Sequence, residues 1–394
     1  MQSRTEALIV GGGVAGLATA LALSRTGRTV RLIEKAPLFG EVGAGLQLGP
    51  NATRILAAWG LLGRVVDSGV VPRRISLRDA LSGDCLTALE LDADFEDRYG
   101  APYVVTHRSD LHRILLDAAR DAGVDLRTDS EADTVTEHAD RVVTTLTTGE
   151  QFSSDIVIGA DGLNSRLRAT ISDDAPVPSG YVAYRGAMPV GAATGSDLDE
   201  VVGWIGPRCH LVQYPLRQRE MLNTVAVFRS GRFDAGAPEW GGPDELDLAF
   251  EKCCGPVQSA LEQLWRDRWW PMSDREPIGS WHRDRLLLVG DAAHPMLQYL
   301  AQGACQAIED ADTLAGALGA APLTTGRWKQ AVTDFQNRRI PRTARVQTTA
   351  RWWGDLWHCD GMTATLRNAY LREHDPSSYR YSDWLYADTT RSTR

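Results

Sequence analysis

An apolar run, Ala7-Leu8-Ile9-Val10, ends abruptly at Gly11-Gly12-Gly13, a pattern that predicts a buried strand entering a glycine-rich turn and then a helix. Thr29-Val30-Arg31-Leu32-Ile33 predicts a second strand that ends at Glu34. The segment Gly43–Asn51 is dense in glycine and reads as a loop, with Asn51 placed to cap the helix that follows. Alternation from Ile75 to Leu91 predicts a hairpin around Ser82-Gly83-Asp84. His107-Arg108-Ser109-Asp110-Leu111 opens an amphipathic helix carrying Ile114, Leu115 and Leu116, closed by Gly123 before a strand at Val124-Asp125-Leu126. Short alternating runs from Asp133 to Ile158, turning at Thr148-Gly149-Glu150, predict a meander. Four strand-like runs between Tyr181 and Phe228 predict a separate, largely antiparallel sheet. Two helical stretches near 244–265 precede another apolar strand, Leu286-Leu287-Leu288-Val289, and a long helix follows Trp328. There are no internal repeats and no low-complexity tract.

With 394 residues, 43% hydrophobic and 24% charged, the chain has material for two cores or one large composite core. A net charge of −9 argues against nucleic acid or an anionic membrane as partner, yet leaves room for local anion binding. No apolar run approaches the roughly 20 residues of a membrane span, so no membrane insertion is expected. The first strand follows Met1–Glu6 at once, which leaves no room for a signal peptide. Cys85, Cys209, Cys253, Cys254, Cys305 and Cys359 show neither C-x-x-C spacing nor a Cys/His metal framework. Reduced thiols, a cytoplasmic location and no metal are expected, with adjacent Cys253 and Cys254 as small apolar residues near a helix end.

The chemistry lies in the turns. Gly11, Gly13 and Gly16 fit G-x-G-x-x-G, where the missing side chains permit a tight turn, close approach to a pyrophosphate, and packing of helix on strand. The helix start offers N–H groups and partial positive charge to phosphates. Glu34 is placed to accept from a ribose and would repel a 2′-phosphate, which suits FAD or NAD better than NADP. A second acid–glycine turn, Asp161-Gly162, follows Ile156-Val157-Ile158, and Gly290-Asp291-Ala292-Ala293-His294 follows the strand at Leu286.

These three motifs in order, with Gly159-Ala160-Asp161-Gly162-(x2)-Ser165-(x2)-Arg168 as the second, resemble the single-component flavoprotein aromatic monooxygenases of the p-hydroxybenzoate hydroxylase type over nearly the whole chain. The resemblance implies an α/β fold: a Rossmann-like FAD-binding domain (GR2 type) interleaved with an α+β substrate domain built on an antiparallel sheet, plus a C-terminal helix. The expected FAD-binding segments are 1–73, 101–178 and 276–325. The substrate segments are 74–100 and 179–275, and 326–394 is the C-terminal helical segment. By resemblance Asp291 contacts the ribityl chain, backbone near Gly303 meets the isoalloxazine, Asp161 serves both FAD and the transient pyridine nucleotide, and Arg108 lies against the cofactor.

Within that family, His210 and Tyr214, Leu297-Gln298-Tyr299-Leu300 and Trp353-Gly354-Asp355-Leu356-Trp357-His358 are similar to the hydroxylases that convert 3-hydroxybenzoate to gentisate (2,5-dihydroxybenzoate). That implies NADH and O2 as co-substrates, a flavin C4a-hydroperoxide, a small aromatic substrate and a homodimer. His210 is then the candidate base, because a phenolate attacks the peroxide oxygen far better than a phenol. Tyr214, four residues on and on the same strand face, is a candidate for binding the ring oxygen or the carboxylate, or simply a core residue. Gln298 replaces a proline found in much of the family and can orient the phenol. Tyr103 is a candidate substrate contact with packing as the alternative, and the loop with Gln47 would accommodate flavin movement. His294 reads as a support for its turn, and His112, His282 and His358 have no evident role. Trp352, Trp353 and Trp357 read as core or subunit interface. The alternatives are a salicylate or other phenol hydroxylase, and, in another class, a non-catalytic dinucleotide-fold binding protein. No W-x-W-x-I-P segment supports a halogenase, and no C-x-x-C pair supports a disulfide reductase.

Overall fold

A computed structural model describes residues 4–40, 43–190 and 198–387; residues 1–3 and 388–394, which belong to the expected first and last segments, lie outside the described residues. The chain divides into two compact units. One comprises 1–42, 109–177 and 274–348, and the other 43–108, 178–273 and 349–394. These boundaries put 43–73 and 101–108 in the second unit and 326–348 in the first.

The first unit is built on an eight-stranded sheet whose main path runs His282–Arg283, Leu286–Leu288, Gln151–Gly159, Thr5–Val10, Val30–Ile33 and Asp125–Arg127. Thr5–Val10 pairs in parallel with Gln151–Gly159 and Val30–Ile33, and Gln151–Gly159 with Leu286–Leu288. Such strands are covered on both faces, and Ala7, Leu8 and Ile9 are fully buried. The register aligns Val10 with Gly159 and Gly159 with Leu288. All three motif turns therefore leave the sheet at the same edge, the carboxyl ends of parallel strands, where open α/β sheets bind ligands. The meander is Ala132–Glu137, Val142–Leu146 and Gln151–Gly159, antiparallel throughout. Helix Val14–Ser24 packs against helix Gly303–Leu318.

The second unit carries a seven-stranded sheet in the order Trp270–Asp274, Val177–Pro189, Met221–Arg229, Cys209–Leu216, Glu200–Gly206, Arg74–Asp79, Cys85–Glu90. It is antiparallel in its middle, and one parallel pairing, Glu200–Gly206 with Arg74–Asp79, joins the hairpin to it. One face packs Val182, Tyr184, Trp204, Leu211 and Phe228 with Leu246, Phe250 and Val257 of the helices that follow. Strand alternation sends His210, Val212 and Tyr214 to the opposite face.

One expectation fails locally. Gly43–Asn51 is not a loop throughout, since Gly45–Leu48 is a strand antiparallel to Val104–His107. Asn51 does not cap the next helix either: Gly49 is extended at the N-cap position, Pro50 takes the first helical position, and Asn51 is buried inside the first turn. Proline at that position is pre-set for helical φ and fixes the start two residues earlier than an Asn51 cap would. The long helix runs Thr325–His358 with Pro341 inside it. Among the described residues, no helix is long and apolar enough to cross a membrane.

Candidate functional site

Gly11 has a φ of +110°, and a Cβ there would lie 2.4 Å from the Ala160 carbonyl oxygen, so the first turn exists only without a side chain. A Cβ at Gly16 would lie 1.9 Å from the Gly11 carbonyl oxygen, which is the close packing of helix on turn that the fingerprint requires. Gly13 is the N-cap of helix Val14–Ser24, which has no side-chain cap and no acid in its first turn. The helix end therefore keeps its donors and its positive dipole for an anion. Glu34 braces the turn by accepting from the Gly12 N–H at 2.7 Å and the Ala36 N–H at 2.9 Å. Each carboxylate oxygen retains a lone pair for ribose hydroxyls. His112 Nε2 lies 2.8 Å from the Gly12 carbonyl and supports the turn from behind, a role its sequence position did not reveal.

Gly290, at φ +58°, lies so close to this helix that a Cβ there would be 2.5 Å from the Ala15 Cβ. Two motifs almost 280 residues apart thus meet. Asp291 is exposed beside this approach, and a Cβ on Gly303 would sit 3.9 Å from Asp291 Oδ1. The loop is held by buried groups. The Gly290 N–H donates to Asp310 Oδ2 at 2.9 Å, and His294 Nε2 lies 2.6 Å from the same oxygen. Burial opposes the Asp310 charge, but His294 and Arg339 outweigh it and hold its pKa below the ordinary value. His294 is a turn support. Arg168 donates to the Ala292 carbonyl at 3.1 Å and the Ala293 carbonyl at 2.6 Å, and forks onto Asp174 at 2.8 and 3.0 Å. The second motif thereby fixes the third. Asp161 accepts from Ser165 Oγ at 2.6 Å and from the N–H groups of Arg166 and Leu167 at 2.9 and 3.3 Å, which stiffens its own turn. Gln298 opens the short turn Gln298–Leu300, half-buried, ahead of Ala301 at φ +52°. These pieces fit FAD: a side-chain-free turn, an open helix start, an acid at the ribose position, and an aspartate loop against the same helix.

In the second unit, Tyr103 Oη donates to Gln47 Oε1 at 2.7 Å, and Gln47 also hydrogen-bonds the Tyr214 hydroxyl. Three sequence-predicted residues are thus one chain of contacts. Tyr103 and Tyr214 are both buried, and the Tyr214 ring occupies the space a Cβ on Gly45 would need, 2.5 Å from its Cε2. Burial pushes the Tyr214 pKa up, against the nearby Arg185 charge and the Gln47 bond, so it stays a neutral phenol. Arg108 begins helix Arg108–Asp121, its backbone N–H donating to Ala44 and its stem lying against Gly43. Arg185, which alternation puts on the His210 face, shares a field with Tyr214 and Arg108 and lies over the Trp270 ring at 5.6 Å. The sequence reading did not single it out, although a charge inside the strand that begins Tyr181-Val182-Ala183-Tyr184 was the available signal.

His210 is almost wholly buried, and its Nδ1 lies 2.8 Å from Nε2 of His358. His358 was assigned no role; the structure gives it this contact, with stacking on Tyr181 at 4.4 Å. Trp357 meets the His210 ring edge-on at 5.1 Å and is core, whereas Trp352 is 70% exposed. Burial, with His358 adding to it, pushes the His210 pKa well below the ordinary histidine value. Burial and then the Arg367 charge lower that of His358 to about 3. At neutral pH both rings are neutral.

Residues 4–350 match the protein family described as FAD binding domain. A 3-hydroxybenzoate 6-hydroxylase of Klebsiella oxytoca is 39% identical over 390 residues, covering 97% of this chain and 96% of that protein. A 3-amino-4-hydroxybenzoate 2-monooxygenase of Streptomyces cremeus is 36% identical, covering 97% and 94%. Among solved structures, Klebsiella pneumoniae HpxO complexed with FAD and uric acid superposes with a TM-score of 0.82 at 25% identity, covering 95% of this chain and 94% of that one.

Proposed function

The chain belongs to the FAD-binding-domain family of flavoprotein aromatic monooxygenases, and on that premise we propose that it hydroxylates 3-hydroxybenzoate para to the phenol, giving gentisate with NADH and O2 as co-substrates. The observation that carries the substrate reading is His210, a neutral, deeply buried imidazole four residues from Tyr214 on one strand face. Bound FAD supplies the redox chemistry: reduced by the pyridine nucleotide, it activates O2 so that one oxygen atom passes to an electron-rich ring.

The protein's own part is to make the ring electron-rich. His210 takes the phenolic proton, with His358 Nε2 lying 2.8 Å from its Nδ1. With its basicity lowered by burial, this transfer runs uphill from a phenol of pKa about 10 unless the phenolate is stabilised. The positive field of Arg185 and Arg108 supplies that stabilisation and suits an anionic aromatic acid. Tyr214, uncharged, donates to a substrate oxygen, and the Gln298 amide orients the phenol. The Tyr103–Gln47 bond holds the strand Gly45–Leu48 in place. Asp291, Glu34 and the turn around Gly11, Gly13 and Gly16 hold FAD, with Arg108, Asp161 and Gly303 as further contacts.

Incubation with 3-hydroxybenzoate, NADH and air tests the reading: gentisate should form in step with NADH consumed. Hydroxylation at another ring position, as the Streptomyces relative's name implies for that protein, would reassign the substrate. A purified chain that stays colourless with added FAD would remove the enzyme reading altogether. We place the reaction in the cytoplasm, where NADH is available, and assign the chain a homodimeric state.

A further inference from the structure

The strand Gly45–Leu48 begins with one glycine and is followed by another, and a tyrosine ring fills the space beside each. A Cβ on Gly45 would lie 2.5 Å from Cε2 of Tyr214, and a Cβ on Gly49 would lie 2.7 Å from Cε1 of Tyr386. Gly49 is extended, with φ at −74°, a backbone any residue adopts, so glycine is there for space. The ring that takes this space comes from the other end of the chain, on the short helix Asp383–Tyr386, and it is buried. It meets Tyr103 edge-on, with ring centroids 6.2 Å apart and planes inclined by 74°. Tyr103 donates to Gln47 Oε1 at 2.7 Å, and Gln47 hydrogen-bonds Tyr214. We propose that Tyr386 is a positioning residue: its ring, seated on Gly49, fixes Tyr103 and, through Gln47, the Tyr214 hydroxyl that meets the aromatic acid.

The proposal deepens the reading of Tyr103 and Tyr214 as substrate contacts and rests on it. Tyr386 is itself held from several sides. Phe95 and Tyr99 of helix Ala93–Tyr99 meet its ring edge-on, with centroids at 6.1 and 5.7 Å. Arg54 of helix Pro50–Ala58 donates to the Tyr386 carbonyl at 2.8 Å and to the Tyr99 carbonyl at 2.6 Å. Asp383, at the start of the same short helix, accepts a fork from Arg98 at 2.7 and 2.6 Å and a bond from Tyr99 Oη at 2.8 Å. These contacts anchor Tyr386 without any help from Tyr103, so its ring is a fixed stop against which Tyr103 rests. A swing of the Tyr103 ring carries the hydroxyl at its far end furthest, and a hydrogen bond weakens steeply with length and angle. Once the 2.7 Å bond to Gln47 is lost, the amide loses an anchor and Tyr214 loses the group that orients it.

Steady-state kinetics of the FAD-bound enzyme tests this. Tyr386→Phe keeps the ring and should keep the wild-type KM for 3-hydroxybenzoate. Tyr386→Ala removes the stop and should raise that KM on the order of tenfold, with kcat at saturation and FAD content unchanged. Tyr386→Leu, which fills the core without a flat ring, should raise it too and serves if the alanine variant does not fold. Tyr103→Phe removes the donor to Gln47, so in that background the loss of the Tyr386 ring should add little. A wild-type KM in the alanine or leucine variant, an equal rise in Tyr386→Phe, or effects of Tyr386 and Tyr103 that simply add overturns the proposal. Absence of gentisate from the wild-type chain would instead defeat the functional reading. Urea unfolding of the two single variants and the double variant would then still decide whether Tyr386 and Tyr103 are coupled, and strict additivity there overturns the proposal as well.

Discussion

Gly45 fits the strand Gly45–Leu48 against the Tyr214 ring only because it lacks a side chain. A Cβ there would fall 2.5 Å from the Tyr214 ring and 3.0 Å from Leu216, while the Gly45 N–H donates to Asn223 Oδ1 at 2.7 Å. Gly45→Ala must push the ring aside, so KM for the aromatic acid should rise about tenfold or more, the effect of about 1.4 kcal/mol in binding, with FAD content unchanged. Steady-state kinetics beside the flavin absorbance checks this, and an unchanged KM would remove Tyr214 from substrate binding. The histidine pair makes a separate prediction in stability. Unfolded, both rings protonate near about pH 6.5, whereas in the fold His358 does so at about 3 and His210 well below its ordinary value. A depressed folded pKa contributes stability above the unfolded value and loses it as pH falls through the interval. The melting temperature should therefore drop between pH 6.5 and 4, with a shallower slope in His358→Phe. Equal slopes would mean the rings ionise normally. That His210 and Tyr214 share a face was legible, because residues four apart on a strand point the same way. His358 was not, because its partner lies 148 positions away and only tertiary structure joins them.

At the scale of elements, most of the plan was written in local pattern. The apolar strands ending in Gly11, Asp161 and Gly290, the hairpin at Ser82-Gly83-Asp84 and the long helix past Trp328 all form where periodicity puts them. The strand Gly45–Leu48 was hidden because glycine at 43, 45 and 49 signals a loop, and only pairing with Val104–His107 makes it extended. The polar core of the first unit was equally silent. Arg339, on the long helix, bonds Asp310 Oδ1 at 2.7 Å, Gln306 Oε1 at 2.7 Å and Glu309, all on helix Gly303–Leu318. Burial opposes its charge, but Glu309 and Asp310 outweigh it and raise its pKa. Arg339→Met would strand buried carboxylates and should cost about 3–5 kcal/mol, read as a lower urea midpoint. It should also weaken FAD retention, because Asp310 holds the Gly290 N–H. A loss below about 1 kcal/mol would mean that water reaches these carboxylates and that the network is not what holds the aspartate loop.

For the molecule as a whole, the open question is what covers helix Gly361–Arg372. Met362, Leu366 and Tyr370 recur at intervals of four and are 73%, 64% and 61% exposed, so they form one apolar stripe along one side. Single exposed apolar residues need no explanation, but an aligned set of this kind marks a contact surface. A net charge of −9 spreads repulsion between copies, which a symmetric interface offsets only by burying a patch such as this one. The stripe is far from the parallel-strand turns in sequence and carries no titratable group that catalysis needs. If the chain pairs through this stripe, as the proposed homodimer requires, Leu366→Glu should leave it monomeric in analytical ultracentrifugation with FAD content unchanged. A variant that sediments as the wild type does would place the subunit contact elsewhere, with exposed Trp352 the next position to test. A wild-type chain that is monomeric at micromolar concentration would dismiss the homodimer outright.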